Sequence, residues 1–227
     1  MTTTLGLDIS HWNTVDWDYW ANKNYNFVYI KTTEDVSFKD NKMVAHYTAA
    51  KRRGFLVGPY HFFRANYDPE TQASHFRNYT KDLVWDLPPA IDCETQDGAS
   101  RATYRARIRA MLLATENEFS RKPIIYTSRY LWHKLVGTLD IAANYDLWAA
   151  HYTTAAQPLI PDDWASIGWA IWQFISRPLD QNRFNGSLED LKEWAGITPP
   201  PNSDLEARVA ALEEYITKLK QWTKNAP

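Results

Sequence analysis

The sequence predicts an α/β fold, an irregular TIM-like (β/α) barrel followed by a C-terminal helical tail. Short β-rich runs alternate with helical stretches over most of the 227 residues, the order expected of parallel strands joined by crossover helices. Candidate site residues recur at the ends of several runs, among them Asp8, Glu34 and Tyr126. In a barrel those ends converge on one face, whereas an open sheet would spread them apart. The connection between the sixth and seventh runs is short, so the barrel is expected to be irregular rather than eight clean strand–helix units.

The predicted strands are 4–10 (TLGLDIS), 27–33 (FVYIKTT), 55–63 (FLVGPYHFF), 88–95 (PPAIDCET), 122–128 (KPIIYTS), 145–152 (YDLWAAHY) and 167–175 (IGWAIWQFI). Asp180 follows in a turn-like region that begins or replaces an eighth. Between them, helices are expected over 15–24, 40–53, 69–82, 100–119 and 129–136. Pro69 suits a first helical turn, and Ser100 suits an N-cap.

After a barrel spanning 1–196, residues 197–203 (ITPPPNS) read as a stiff linker, because three successive prolines cannot continue a helix. In the tail 204–227, Leu205, Val209, Leu212, Ile216 and Leu219 recur in a heptad pattern. The expectation is a short helix that self-associates, spaces a further module, or folds back on the barrel.

Hydrophobic residues make up 44% and charged residues 23% of the chain, an ordinary globular balance. Net charge is -2 and no basic block is present, which argues against a nucleic-acid partner. With Cys93 as the only cysteine, no intrachain disulfide can form. The N-terminus shows no signal-peptide pattern, and no stretch is long and apolar enough to insert in a membrane. Aromatic residues are 15%, with 11 Trp and 13 Tyr, a high content that suits core packing for most of the rings and the covering of sugar faces for a few.

The sharpest local feature is IDCET. Alternation along a strand turns Asp92 and Glu94 to one side and Cys93 to the other, so Cys93 reads as a buried small hydrophobe. Two neighbouring acids repel, and one is held protonated. Such a pair can donate a proton to a glycosidic oxygen while a carboxylate stabilises positive charge on the sugar. The bland reading is a loop cap or an arginine pair. In a barrel, Asp8 and Asp180 join the same pocket. The acids match no recognised metal loop, and His11, His61 and His151 form no tight zinc motif, so neither a metal nor an organic cofactor is expected.

LDISHWN, FVYIKTTE, VGPYHFF, PPAIDCET, KPIIYTS, YDLWAAHY, AIWQF and LDQNRFNG occur in this order. In that ordered combination, over residues 4–196, the chain resembles the lysozymes of glycoside hydrolase family 25, many of them phage or bacterial muramidases. The resemblance implies an irregular barrel that cuts the β-1,4 bond between N-acetylmuramic acid and N-acetylglucosamine in peptidoglycan with retention. It implies Glu94 as general acid/base, Asp92 as its partner, and Asp8 and Asp180 as the other pocket carboxylates. The nucleophile is either a carboxylate, Asp180 first, or the substrate's acetamide oriented by Asp92 or Asp180. The lack of a visible signal peptide fits an endolysin-like enzyme made in a host cytoplasm and acting on the bacterial wall, which is the expectation for its location.

Trp12, Glu34, Tyr60, Phe62, Tyr126, Trp148, Trp172 and Gln173 form the expected substrate-binding shell. Trp12 and Trp148 are placed as sugar platforms, and Tyr60 or Tyr126 as acetamide partners or Glu94 supports. Glu34 binds substrate or holds a loop. The family pattern is departed from at Cys93 and around Asn182, where Arg183 is expected to pair with Asp180. The competing functions are a chitinase or other N-acetylhexosamine glycosidase, and a noncatalytic wall-binding module.

Overall fold

A computed structural model describes residues 2–197, Val209 and Glu213. Its elements are β1 (Thr4–Ile9), α1 (Trp17–Asn22), β2 (Tyr25–Glu34), β3 (Phe38–Lys39), α2 (Met43–Arg52), β4 (Leu56–Phe62), α3 (Pro69–Thr80), β5 (Ala90–Asp92), α4 (Arg101–Phe119), β6 (Ile124–Thr127), α5 (Arg129–Leu135), β7 (Leu147–Ala150), a 3₁₀ turn (Asp162–Trp164), β8 (Ile171–Ile175), β9 (Asp180–Phe184) and α6 (Leu188–Trp194).

The strands follow the order β1-β9-β8-β7-β6-β5-β4-β2-β3, and β1 also pairs with β2, which closes the sheet into a barrel. From β1 through β8 the wall strands pair in parallel. β9 runs antiparallel to both β8 and β1. The physical reason is the short link from Ile175 to Asp180. A parallel return needs a crossover of a dozen or more residues, so the chain can only turn back on itself. Asp180 thus starts an antiparallel staple between first and last parallel strands. β3 hangs outside the barrel on β2 as a short antiparallel arm that the sequence did not reveal.

The helices form where local chemistry starts and stops them. Asp16, Asp68, Ser100 and Ser128 each cap an N-terminus by accepting a backbone N–H three residues on. In α4, Tyr104, Ile108, Met111, Leu112 and Thr115 make one buried stripe, and Ser120 ends the helix in the left-handed region at φ 51°. Between β7 and β8 only the 3₁₀ turn replaces a helix, with Trp164 buried beneath it. α6 was not anticipated.

The hydrophobic core lies between the sheet and the helices. One cluster packs Phe63, Ile91, Cys93, Ile125 and Trp172 against Phe76, Tyr104, Met111 and Trp132. A second joins Leu7, Ile9, Val28, Ile30 and Val57 to Trp20, Met43 and Ala50. Inside the barrel, Trp148 is ringed by Tyr29, Tyr60 and Tyr126 at centroid distances of 4.7, 6.5 and 4.8 Å. This aromatic plug fills the lower barrel and leaves the mouth to polar side chains.

The compact barrel unit extends to Leu191. The predicted proline linker and heptad helix fall outside the described residues, apart from Ile197 and from Val209 and Glu213, which are helical. Among the described residues no helix is long and apolar enough to cross a membrane.

Candidate active site

The pocket at the barrel mouth is lined by residues from around the wall. Asp8 comes from β1, Tyr60 and Phe62 from β4, Asp92 from β5, Tyr126 from β6, Trp148 from β7, Gln173 from β8 and Asp180 from β9, with Glu94 just beyond β5 and Trp12 at the rim. Alternation along the strands selects them: His61, between Tyr60 and Phe62, is fully buried on the other side of the wall against Thr33 and Gln72. Cys93 lies in the outer core, as its place between Asp92 and Glu94 requires.

A hydrogen-bond relay sets the pocket floor. The Trp148 indole N–H, which can only donate, meets Asn182 Oδ1 at 2.8 Å. That fixes the Asn182 amide so that its Nδ2 donates to Asp8 Oδ2 at 2.7 Å. Gln173 Nε2 donates to the same oxygen at 2.8 Å. Its own Oε1 accepts from Tyr126 and Tyr152 at 2.8 and 2.6 Å. Tyr126 also lies within hydrogen-bonding reach of Glu94. A phenol has one proton, so Tyr126 can turn it to Gln173 or to Glu94, with Tyr152 holding Gln173 in either case.

Four carboxylates in one mouth cannot all be ionised cheaply. Burial first, then the charge of Asp180, pushes Asp8 up to about 8, against the pull of its two amide donors. Burial and then Glu94 raise Asp180 to about 6. Asp92 is held well above the usual carboxylate range by burial and by Glu94 beside it, and its Oδ1 is buried without a hydrogen-bond partner. Glu94 is raised by burial, while bonds to Asp92 and Tyr126 and the Lys31 ammonium oppose the rise. The arrangement therefore keeps at least one proton in the mouth near neutral pH and leaves room for carboxylate charge beside it.

The structure separates two predicted binding residues from this group. Trp172 is 1% exposed and faces outward, its indole N–H donating to His151 O at 2.7 Å. Gln173 occupies the inward position, and adjacent residues of a strand cannot share a face. Glu34 is also outside the pocket: its carboxylate binds Lys31 Nζ at 2.6 Å and the Arg64 guanidinium, whose Nη1 reaches Asp97 at 3.0 Å. It holds the loops after β2, β4 and β5 together. Trp148 lines the pocket but is only 2% exposed, so it is floor rather than a sugar platform. Trp12, 83% exposed at the rim, can present a whole ring face. The expected Arg183–Asp180 pair is not formed. Asp180 points inward, and Arg183, an odd number of residues along β9, stacks outside over Phe174 and Trp172 at 4.1 and 5.3 Å.

Comparison with known proteins bears directly on this constellation. The profile of Glycosyl hydrolases family 25 matches residues 7–182, which spans Asp8 through β8 and into β9. The chain belongs to glycosyl hydrolase family 25. Lysozyme M1 of Streptomyces globisporus is 30% identical over 213 residues, covering 85% of this chain and 71% of that relative. The family GH25 lysozyme from Aspergillus fumigatus superposes with a TM-score of 0.79 at 30% identity, over 86% of this chain and 99% of that one. A muramidase from Trichobolus zukalii gives 0.77 at 31% identity, over 86% and 100%. This family 25 chain is therefore a glycoside hydrolase of the lysozyme type, and its barrel is the irregular one the family implies.

Sequence reasoning overlooked several pocket residues of this hydrolase. Ser10, Lys31 and Tyr152 line the mouth, and Asn182 positions Asp8. Parity was the available signal for Asn182, which is two residues from Asp180 on β9. Among the described residues no three His, Cys, Asp or Glu side chains converge as a metal cage.

Proposed function

We propose that this family 25 hydrolase is an N-acetylmuramidase, cutting the β-1,4 bond between N-acetylmuramic acid and N-acetylglucosamine with retention of configuration. The observation that carries this reading is the convergence of Asp8, Asp92, Glu94 and Asp180 on one mouth, with burial raising the proton affinity of each. Glu94 stands partly open to the mouth with a raised proton affinity, which suits a general acid that protonates the leaving oxygen and then activates water.

Asp92 lines the mouth beside Glu94. Its carboxyl accepts an acetamide N–H of the substrate, which turns the acetamide oxygen toward the anomeric carbon as the internal nucleophile. Asp180, across the mouth, stabilises the positive charge that develops on the sugar. Asp8, locked by Asn182 and Gln173, holds this geometry. Trp12 supplies an aromatic face at the rim.

The test is mass spectrometry of reducing-end-labelled peptidoglycan fragments from wild type and Glu94→Gln, with the first-formed anomer followed by NMR. Reduced muramic acid ends from wild type, β-anomer first, and their loss in the variant are expected. Labelled glucosamine ends would reject the muramidase assignment, and an α-anomer first would reject retention. Release of sugar from chitin but not from cell walls would favour a chitinase.

A further inference from the structure

The cleft does not end at Glu94. Glu94, Tyr126 and Tyr152 are the shared wall between the carboxylate mouth and a second depression over Ser128, Leu131 and His151. Ser128, Ala150 and His151 in turn border a third, which ends against Tyr130, His133 and Leu159. The three depressions adjoin one another through shared wall residues, from the rim at Trp12 to the loops that follow β6 and β7.

Those loops are built to hold the far end open. Ser128 caps α5 through its hydroxyl, accepting the Leu131 N–H at 3.2 Å, so the helix starts at the trough wall. The Leu159 N–H donates to His151 Nδ1 at 3.0 Å, which ties the loop after β7 beside it and leaves Nε2 as the N–H of the neutral ring.

The chemistry changes along the trough. Its first section carries Asp8, Asp92, Glu94 and Asp180, and its far section carries Arg129, His133 and His151 beside Leu131 and Leu159. Asp162 stands against this end, 3.1 Å from Arg129 and 3.5 Å from His133. Both pairs are largely exposed to water, where a carboxylate is readily exchanged for another.

We infer that the far section is a subsite for the carboxylate-bearing peptide arm of the wall polymer, seated beside the sugar whose bond is cut; this rests on the muramidase reading above. An N-acetylated sugar chain carries no charge for Arg129 to meet. A peptide arm brings carboxylates to the guanidinium and imidazoles and small apolar side chains to Leu131 and Leu159. The shared walls put this section next to the carboxylate mouth that would hold the muramic residue.

The experiment compares steady-state kinetics on soluble peptidoglycan strands and on the same strands stripped of peptide by an amidase. Wild type is expected to show a KM about tenfold lower for the peptide-bearing strands, the size of one charge-assisted hydrogen bond. The double substitution Arg129→Ala with His133→Ala, and separately Leu159→Asp, should bring the ratio of the two KM values toward one. Their effect should fall on KM rather than on kcat. Free stem peptide should inhibit wild type competitively, a readout that needs no variant to fold. Equal KM values for the two substrates in wild type, or a ratio unchanged in folded variants, or no inhibition by free peptide, would overturn the subsite. Absence of muramic acid ends from either substrate would instead overturn the muramidase reading beneath it.

Discussion

Asp8 and Asp180 are register partners across the antiparallel β1–β9 pair, so two carboxylates face each other where the barrel is stapled shut. Like charges directly opposite on neighbouring strands destabilise a sheet. The pair is tolerated because Asp8 holds a proton up to about 8.

This pairing has a consequence for stability against pH. A carboxyl whose folded pKa lies above its unfolded value binds a proton more tightly in the folded state, so stability falls as pH rises from the unfolded pKa near 4 to the folded one near 8. Asp8→Asn keeps an oxygen for the Asn182 and Gln173 donors and removes the ionisation. It is expected to raise the melting temperature at pH 8 by more than at pH 4 while abolishing peptidoglycan hydrolysis. Equal melting shifts at the two pH values would refute the coupling.

Gln173 joins three groups that have few other partners. Gln173→Leu strips a donor from Asp8 and leaves the Tyr126 and Tyr152 hydroxyls without their acceptor. The unmet polar groups should cost about 1–3 kcal/mol each where no water reaches them. Chemical denaturation should show the loss, and kcat should fall with it, because Tyr126 no longer has a fixed alternative to Glu94.

Burial raises the proton affinity of Asp92 and Glu94, and Lys31 opposes that rise. Its ammonium, clamped by Glu34 at 2.6 Å and lying over the Phe62 ring at 4.8 Å, lowers the proton affinity of both Asp92 and Glu94. Lys31→Met should therefore move the acidic limb of the pH–rate profile to higher pH, and Lys31→Arg should restore most of it. A scaled-down profile with unmoved limbs would show that Lys31 acts by packing alone.

Gly58 is required by the aromatic plug. A Cβ there would meet Tyr29 ring carbons at 2.5 and 2.8 Å and Leu87 Cβ at 2.9 Å. Tyr29 has no room to yield, since its ring packs on Trp148 and its hydroxyl donates to Pro88 O at 3.1 Å. Gly58→Ala should destabilise the fold by about 1–3 kcal/mol, the usual cost of overpacking, read as a lower midpoint in urea. An unchanged midpoint would mean that the plug can slide.

Much of this was legible in the sequence because it is local. Strand alternation by itself placed Asp92 and Glu94 together and Cys93 behind them, and cap chemistry marked Ser100 and Pro69 at helix starts. The ordered motifs from LDISHWN to LDQNRFNG determined the family. Tertiary structure alone decided which charges meet. Asp8 and Asp180 are distant in the chain, and only an antiparallel β9, forced by a link too short to cross over, sets them face to face. The same reversal brings Asn182 to Asp8. The pairing of β2 with β4 likewise brings Arg64 to Glu34 and holds its carboxylate outside the pocket. Local periodicity fixes which way a side chain points, but its partners depend on barrel closure, which joins segments that no short-range pattern relates.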